Sequence, residues 1–198
     1  MLSAFKAIAI ALIIVAGGTT SGCIIYREGP LPPITQWPPD VKQTKPTIRL
    51  IVTGQATHNG SVWEGSEDYF LEEWRRDTVR AYQHSGLFSE VRQTAVASDL
   101  QAEIRILHKT ESSSVMSFIM GITLSLIPFT ATETITVTTT LKDRNGATLK
   151  SLEKSERLRT WVELFLAFAM PFQSFDHLSI YDLNRATLIE AHSSKGLL

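Results

Sequence analysis

Period-two alternation is clearest in TETITVTTTL, residues 132–141, where Ile135, Val137, Thr139 and Leu141 point one way and Thr134, Thr136, Thr138 and Thr140 the other. That pattern predicts a strand with one dry and one wet face. LQAEIRILHKT, residues 100–110, sets Ala102, Ile104, Ile106 and His108 against Glu103, Arg105, Leu107 and Lys109, a second strand. TIRLIVTG reads as a strand ended by Gly54, and GLFSEVRQT and ATLKSLEKS as two more. Asn59-Gly60 and Asp143-Arg144-Asn145-Gly146 are turn signals, the latter a hairpin loop.

The pattern changes period over residues 67–85. Leu71, Trp74, Thr78 and Ala81 or Tyr82 recur at helical spacing, Ser66 is placed to cap the start, and Gly86 to close the end. Glu72, Glu73, Arg76, Asp77 and Arg80 form pairs at the same spacing, which predicts a solvated face. SIYDLNRATLIEAHSS predicts a closing helix, with Ser179 and Asp182 as its capping box. The order β-α-β-β-β-β-α predicts an α+β fold, an antiparallel or mixed sheet of about five strands with helices packed on one face.

Two uncharged runs interrupt this order. No charged side chain lies between Glu111 and Glu133, and the run holds Phe118, Leu126, Pro128 and Phe129. It fits a helix, with Ser114, Ser117, Gly121 and Ser125 as a small-residue stripe, and also a strand, with Met116, Phe118, Met120, Ile122, Leu124 and Leu126 on one side; the helix is the favoured reading. The second run, residues 164–175, carries Phe168, Pro171 and Phe172 behind a border of Arg157, Arg159 and Trp161. Both end in Pro-Phe, and both are too short to span a bilayer. Two fates remain open for them, a core layer under the sheet or an exposed contact with lipid or an apolar partner.

Composition removes several functions. The 198 residues carry a formal charge of −1, which gives no electrostatic footprint for nucleic acid. His58, His84, His108, His177 and His192 lack the spacing of metal ligands, and there is no glycine-rich phosphate loop or nucleophile elbow. The expectation is a protein without enzymatic activity, cofactor or metal.

Cys23 is the lone cysteine, so no disulfide can form within one chain. Before it, Lys6, the apolar block 7–18 and small polar residues have the three regions of an export signal. Thr20-Ser21-Gly22-Cys23 resembles the lipobox of bacterial lipoproteins, with Thr20 where leucine is usual. The resemblance implies cleavage between Gly22 and Cys23, acylation of Cys23, and, from Ile24, an outer-membrane address facing the periplasm, with the inner membrane as the alternative. Six of the eight prolines lie between Pro30 and Pro46, which predicts an extended tether over residues 24–46; with the acylated Cys23 that the resemblance implies, residues 23–46 are anchor and tether. Residues 47–198 are expected to form one domain, with residues 1–22 as the signal.

The chain also resembles a group of proteobacterial lipoproteins through SGLFSEV, GITLSLIPFTAT and WVELFLAFAMPF. The resemblance brings no catalytic residue. The functional expectation is an accessory lipoprotein that contacts an envelope protein partner through Phe118, Leu126, Pro128, Phe129, Trp161, Phe168, Pro171 and Phe172. Its rival is a carrier or sensor of lipid or another hydrophobic ligand.

Overall fold

The structure is a computed structural model, and it describes residues 22–29, 31–32, 34, 36–39, 45–63, 67–123, 126–163, 166 and 179–193. In chain order the elements are β1 (Gly22–Glu28), β2 (Thr47–His58), β3 (Ser61–Val62), α1 (Glu67–His84), β4 (Glu90–Arg92), β5 (Leu100–Ser112), α2 (Ser114–Ile122), β6 (Phe129–Asp143), β7 (Thr148–Glu163) and α3 (Ser179–Ser193). The fold mixes helix and strand as the patterning predicts. Its sheet is larger than expected, with seven strands in the order β1-β7-β6-β5-β2-β3 and β4 also paired to β2. The strands the pattern did not isolate are β1 and the two-residue β3, while β4 keeps only Glu90–Arg92 of the longer segment expected.

The sheet is mixed. Ile48 of β2 stands opposite Val91 of β4 and Leu100 of β5, in parallel in both cases. Helix α1 is therefore the crossover that parallel pairing requires. Asp99 ties the start of this arrangement: its carboxylate accepts from the Thr47 backbone N–H at 2.9 Å and the Thr47 hydroxyl at 2.8 Å. The Thr47 hydroxyl in turn accepts from the Asp99 backbone N–H at 3.0 Å, and Arg144 pairs with the same carboxylate. Asn59 (φ 49°) and Gly60 (φ 82°) make the predicted turn from β2 into β3, both in the left-handed region that a tight hairpin needs.

The described residues divide between two compact units, one drawn from Met1–Arg27, Glu111–Glu133 and Leu158–Phe175, the other from Glu28–Thr110, Thr134–Arg157 and Asp176–Leu198. The second unit holds the buried core. Ile48, Leu50 and Val52 from β2, Ala102, Ile104 and Ile106 from β5, and Ile135, Val137 and Leu141 from β6 are buried at alternate positions. Trp74, Ala81 and Tyr82 of α1 and Ile180, Leu183 and Leu188 of α3 are also buried. Helix α1 packs on both β2 and α3. The opposite face of β6 and β7 is polar, as its threonines predict. Thr136 meets Ser155 at 3.1 Å and Thr138 donates to Glu153 at 3.2 Å, a register that runs antiparallel.

Three local expectations change. Gly54 does not end its strand; β2 runs on to His58. Its lack of a side chain serves packing, since a Cβ there would lie 2.6 Å from Cε3 and Cζ3 of the Trp74 indole. Asp77 is not on the solvated face of α1: it is buried, 3.9 Å from Arg80, and burial raises its pKa against the pull of Arg80 and Arg76. The expected tether is also partly structured. Residues 22–28 form an edge strand beside β7, and Arg185 of α3 lies between the rings of Trp37 and Tyr181, 5.1 Å and 5.7 Å from their centroids. Proline opposes helix and central strand but not this kind of extended packing against a neighbour.

Candidate docking surface

The first uncharged run resolves into both of its candidate elements in succession. Helix α2 covers Ser114–Ile122, and β6 begins at Phe129. Ser113 caps the helix, its hydroxyl accepting from the Met116 N–H at 3.3 Å, and Ser117 donates its hydroxyl to the Ser113 carbonyl at 3.0 Å. At the other end the Thr123 hydroxyl donates to the Ile119 carbonyl at 2.8 Å. These contacts are all local. None of the helix's nine residues is buried.

The exposure falls on large apolar side chains. Val115, Phe118 and Ile122 are 68%, 69% and 67% exposed, and their spacing places them on one face of the helix. Leu126 and Ile127 follow at 57% and 41%, and Pro128 is exposed beside them. Phe129 is half-buried at the start of β6, and Trp161 of β7 is 40% exposed. Within this run Val115, Phe118, Ile122, Leu126, Ile127 and Pro128 are exposed, while Ile119, Met120 and Phe129 are half-buried.

An isolated helix shorter than about 12 residues is marginal in water. Covering the Val115, Phe118 and Ile122 side chains is worth about 1.5–3 kcal/mol each by the usual area relation, as an upper estimate. A surface that combines a short helix with uncovered apolar side chains gains more from being covered than from standing in water. The charges that flank the run in sequence, Glu111 and Glu133, are both acidic, and the Glu133 carboxylate accepts from the Thr160 hydroxyl at 3.3 Å.

Other expected site residues are placed as follows. Cys23 lies half-buried in β1 as a free cysteine, with Ile25 and Tyr26 exposed beyond it. Arg157, expected as a basic border to the second run, is paired with Glu28 at 3.3 Å. Phe168, Pro171, Phe172 and His177 lie outside the described residues. No helix among the described residues is long and apolar enough to cross a membrane.

The structure also brings together residues that look scattered in the sequence. Parallel pairing sets His108 opposite Ala56, two residues from His58. His58 packs edge-on to Trp63 at 6.5 Å between ring centroids, Trp63 meets Phe70 at 5.9 Å, and Phe70 stacks on Trp74 at 5.7 Å. His108 sits edge-on to both Phe70 and Trp74, at 6.1 Å and 6.0 Å. These two histidines are parts of an aromatic cluster. Among the described residues, no three His, Cys, Asp or Glu side chains converge as metal ligands would.

No family model matches the chain, and no curated protein matches it. Among solved structures, a Helicobacter pylori homolog of neuraminyllactose-binding hemagglutinin aligns over 77% of this chain and 88% of its own, at 10% identity and a TM-score of 0.40. PelC from Paraburkholderia phytofirmans, solved as a dodecamer, aligns over 84% and 94%, at 10% identity and a TM-score of 0.37. Overlaps this loose establish neither a common fold nor a common role.

Proposed function

We propose that this protein is a lipid-anchored, non-enzymatic accessory component of the bacterial cell envelope. In this reading Cys23 carries the lipid at the periplasmic face of the outer membrane, and α2 with Leu126–Phe129 docks on an apolar groove of a protein partner. The observation that carries the docking half is a nine-residue helix with no buried residue and Val115, Phe118 and Ile122 in solvent. Helix-in-groove recognition uses apolar anchors at this spacing.

A protein groove is favoured over the lipid surface by charge. Helices that lie on anionic bilayers carry Lys and Arg on the polar face. Residues 112–132 hold none, and the nearest charges on either side are carboxylates. Exposed Leu126, Ile127 and Pro128 also favour docking over a role as the lining of a closed cavity.

The test is photo-crosslinking in intact cells with a probe residue at Phe118 and, separately, at Leu126. One envelope protein captured at both positions is the expected result. Capture of lipid alone, or of nothing beyond the chain itself, rules the docking reading out. The mass of the mature N-terminal peptide tests the anchor separately: the reading requires an acylated Cys23 as its first residue.

A further inference from the structure

One edge of β2 is left open between two short partners. On that side β4 pairs with residues 47–49 and β3 with residues 57–58. Residues 50–55, between them, have no strand beside them there among the described residues. On the other side the register with β5 runs unbroken from Ile48 to His58, so successive residues of β2 keep turning their backbone groups to opposite edges. The Ala56 carbonyl accepts from the Trp63 N–H at 3.1 Å, which shows that Ala56 faces the β3 side. Val52, four positions back, therefore presents its N–H and C=O to the open stretch.

At this edge lies a pocket of about 300 Å³, lined by Arg49, Leu50, Ile51, Val52, Arg75 of α1 and Gln93 just beyond β4. Two guanidiniums and no carboxylate stand in its wall among the described residues. Arg75 donates to Glu72 at 3.0 Å, an exposed pair of the kind that contributes little and gives way easily. Arg49 has no ion pair among the described residues, and its Nε is buried without a hydrogen-bond partner. The carboxylates on the neighbouring strands are engaged elsewhere. Glu90 holds Arg92, which stands opposite Arg49 on β4, while Asp99 pairs with Arg144 and Glu103 with Lys142. Arg49 is thus a charge at the pocket without a counter-ion, and a donor left in that condition is costly unless something completes it.

We infer that this edge docks an acidic peptide segment in extended conformation, which pairs its backbone with Val52 and sets one Asp or Glu side chain between Arg49 and Arg75. Strand addition at a sheet edge draws affinity from main-chain hydrogen bonds and specificity from a pocket for a side chain. The unpaired guanidinium selects the sign of that side chain. This site does not use α2, so it stands or falls apart from the docking reading.

The experiment is a titration of the full chain carrying Cys23→Ala, which removes any acyl chain of its own, followed by amide NMR. The probe is the blocked peptide acetyl-Val-Glu-Val-Glu-Val-amide. Its controls are the same peptide with lysine in place of glutamate, the same peptide methylated on its backbone nitrogens, and free glutarate, which has the acid without the strand. Saturable binding of one peptide per chain is expected, with shifts centred on Val52, at least about tenfold tighter than the lysine peptide, since one charge-assisted hydrogen bond is worth that much. The methylated peptide and glutarate are expected to bind more weakly than the probe. Arg49→Gln, with the parent's circular dichroism kept, is expected to lose binding at least about tenfold. Glu72→Gln, which frees Arg75, is expected to tighten it by about two- to fivefold. Phe118→Asp leaves it unchanged. Absence of saturable binding, equal affinity for any of the three controls, or full affinity in folded Arg49→Gln overturns the inference.

Discussion

Substituting Gly54 by alanine probes the packing of α1 on β2 with a single methyl group. The new Cβ would lie 2.6 Å from two carbons of the Trp74 ring and 3.5 Å from the Ile106 carbonyl oxygen. The indole is 6% exposed, stacked on Phe70 at an interplanar angle of 14° and met edge-on by His108, so retreat displaces other rings. Overpacking of this sort costs about 1–3 kcal/mol. Alanine restricts the unfolded chain more than glycine does, which returns roughly 0.4–1 kcal/mol. The net expectation is a loss of about 1–2 kcal/mol, or a drop of roughly 2–8 °C in Tm for a chain of this size. Urea unfolding followed by far-ultraviolet circular dichroism reads it as a lower midpoint at unchanged slope. The double variant Gly54→Ala with Trp74→Leu relieves the contact, so its cost should fall short of the sum by at least about 0.5 kcal/mol. An unchanged or higher midpoint for Gly54→Ala, or strict additivity in the double variant, refutes the reasoning.

Asp99, held to a pKa of about 2 by its bonds from Thr47 and Arg144, contributes stability that is complete above its unfolded value of 3.8 and is lost as pH falls through 2. The urea midpoint of Asp99→Asn should therefore lie below the parent's at pH 6 and converge with it between pH 4 and 2. Asp77 has the opposite sign: burial raises its pKa above 3.8, so its contribution is most favourable below that value and declines as pH rises through the folded one. Asp77→Asn should raise the midpoint at pH 7 relative to the parent and lose that advantage on acidification. Phe118→Asp, on a residue 69% exposed, should change unfolding free energy by less than about 0.5 kcal/mol while abolishing crosslinking at Leu126 in cells.

What could be read in the sequence was what neighbours in the chain decide. Alternation in residues 100–110 and 132–141 gives the buried sides of β5 and β6, and helical spacing gives Trp74, Thr78 and Tyr82 as the inner face of α1. Gly54 was misassigned because glycine punctuates strands locally, whereas its actual reason is an indole twenty positions further along the chain. Asp77 sits at ion-pair spacing on its helix, and only tertiary packing shows that its side faces inward. The lack of charge from Glu111 to Glu133 marks the exposed apolar run, yet both periods fit it, because a helix and the start of a strand occupy one uncharged stretch.

The edge strand β1 includes residue 23 itself and lies beside β7. If Cys23 carries a lipid, as proposed, the chain enters the sheet at its point of attachment and has no slack to spend. With Cys23 acylated, the rim of the sheet would rest against the headgroups instead of hovering nanometres above them. Any companion molecule that recognises this edge would have to approach along the plane of the bilayer.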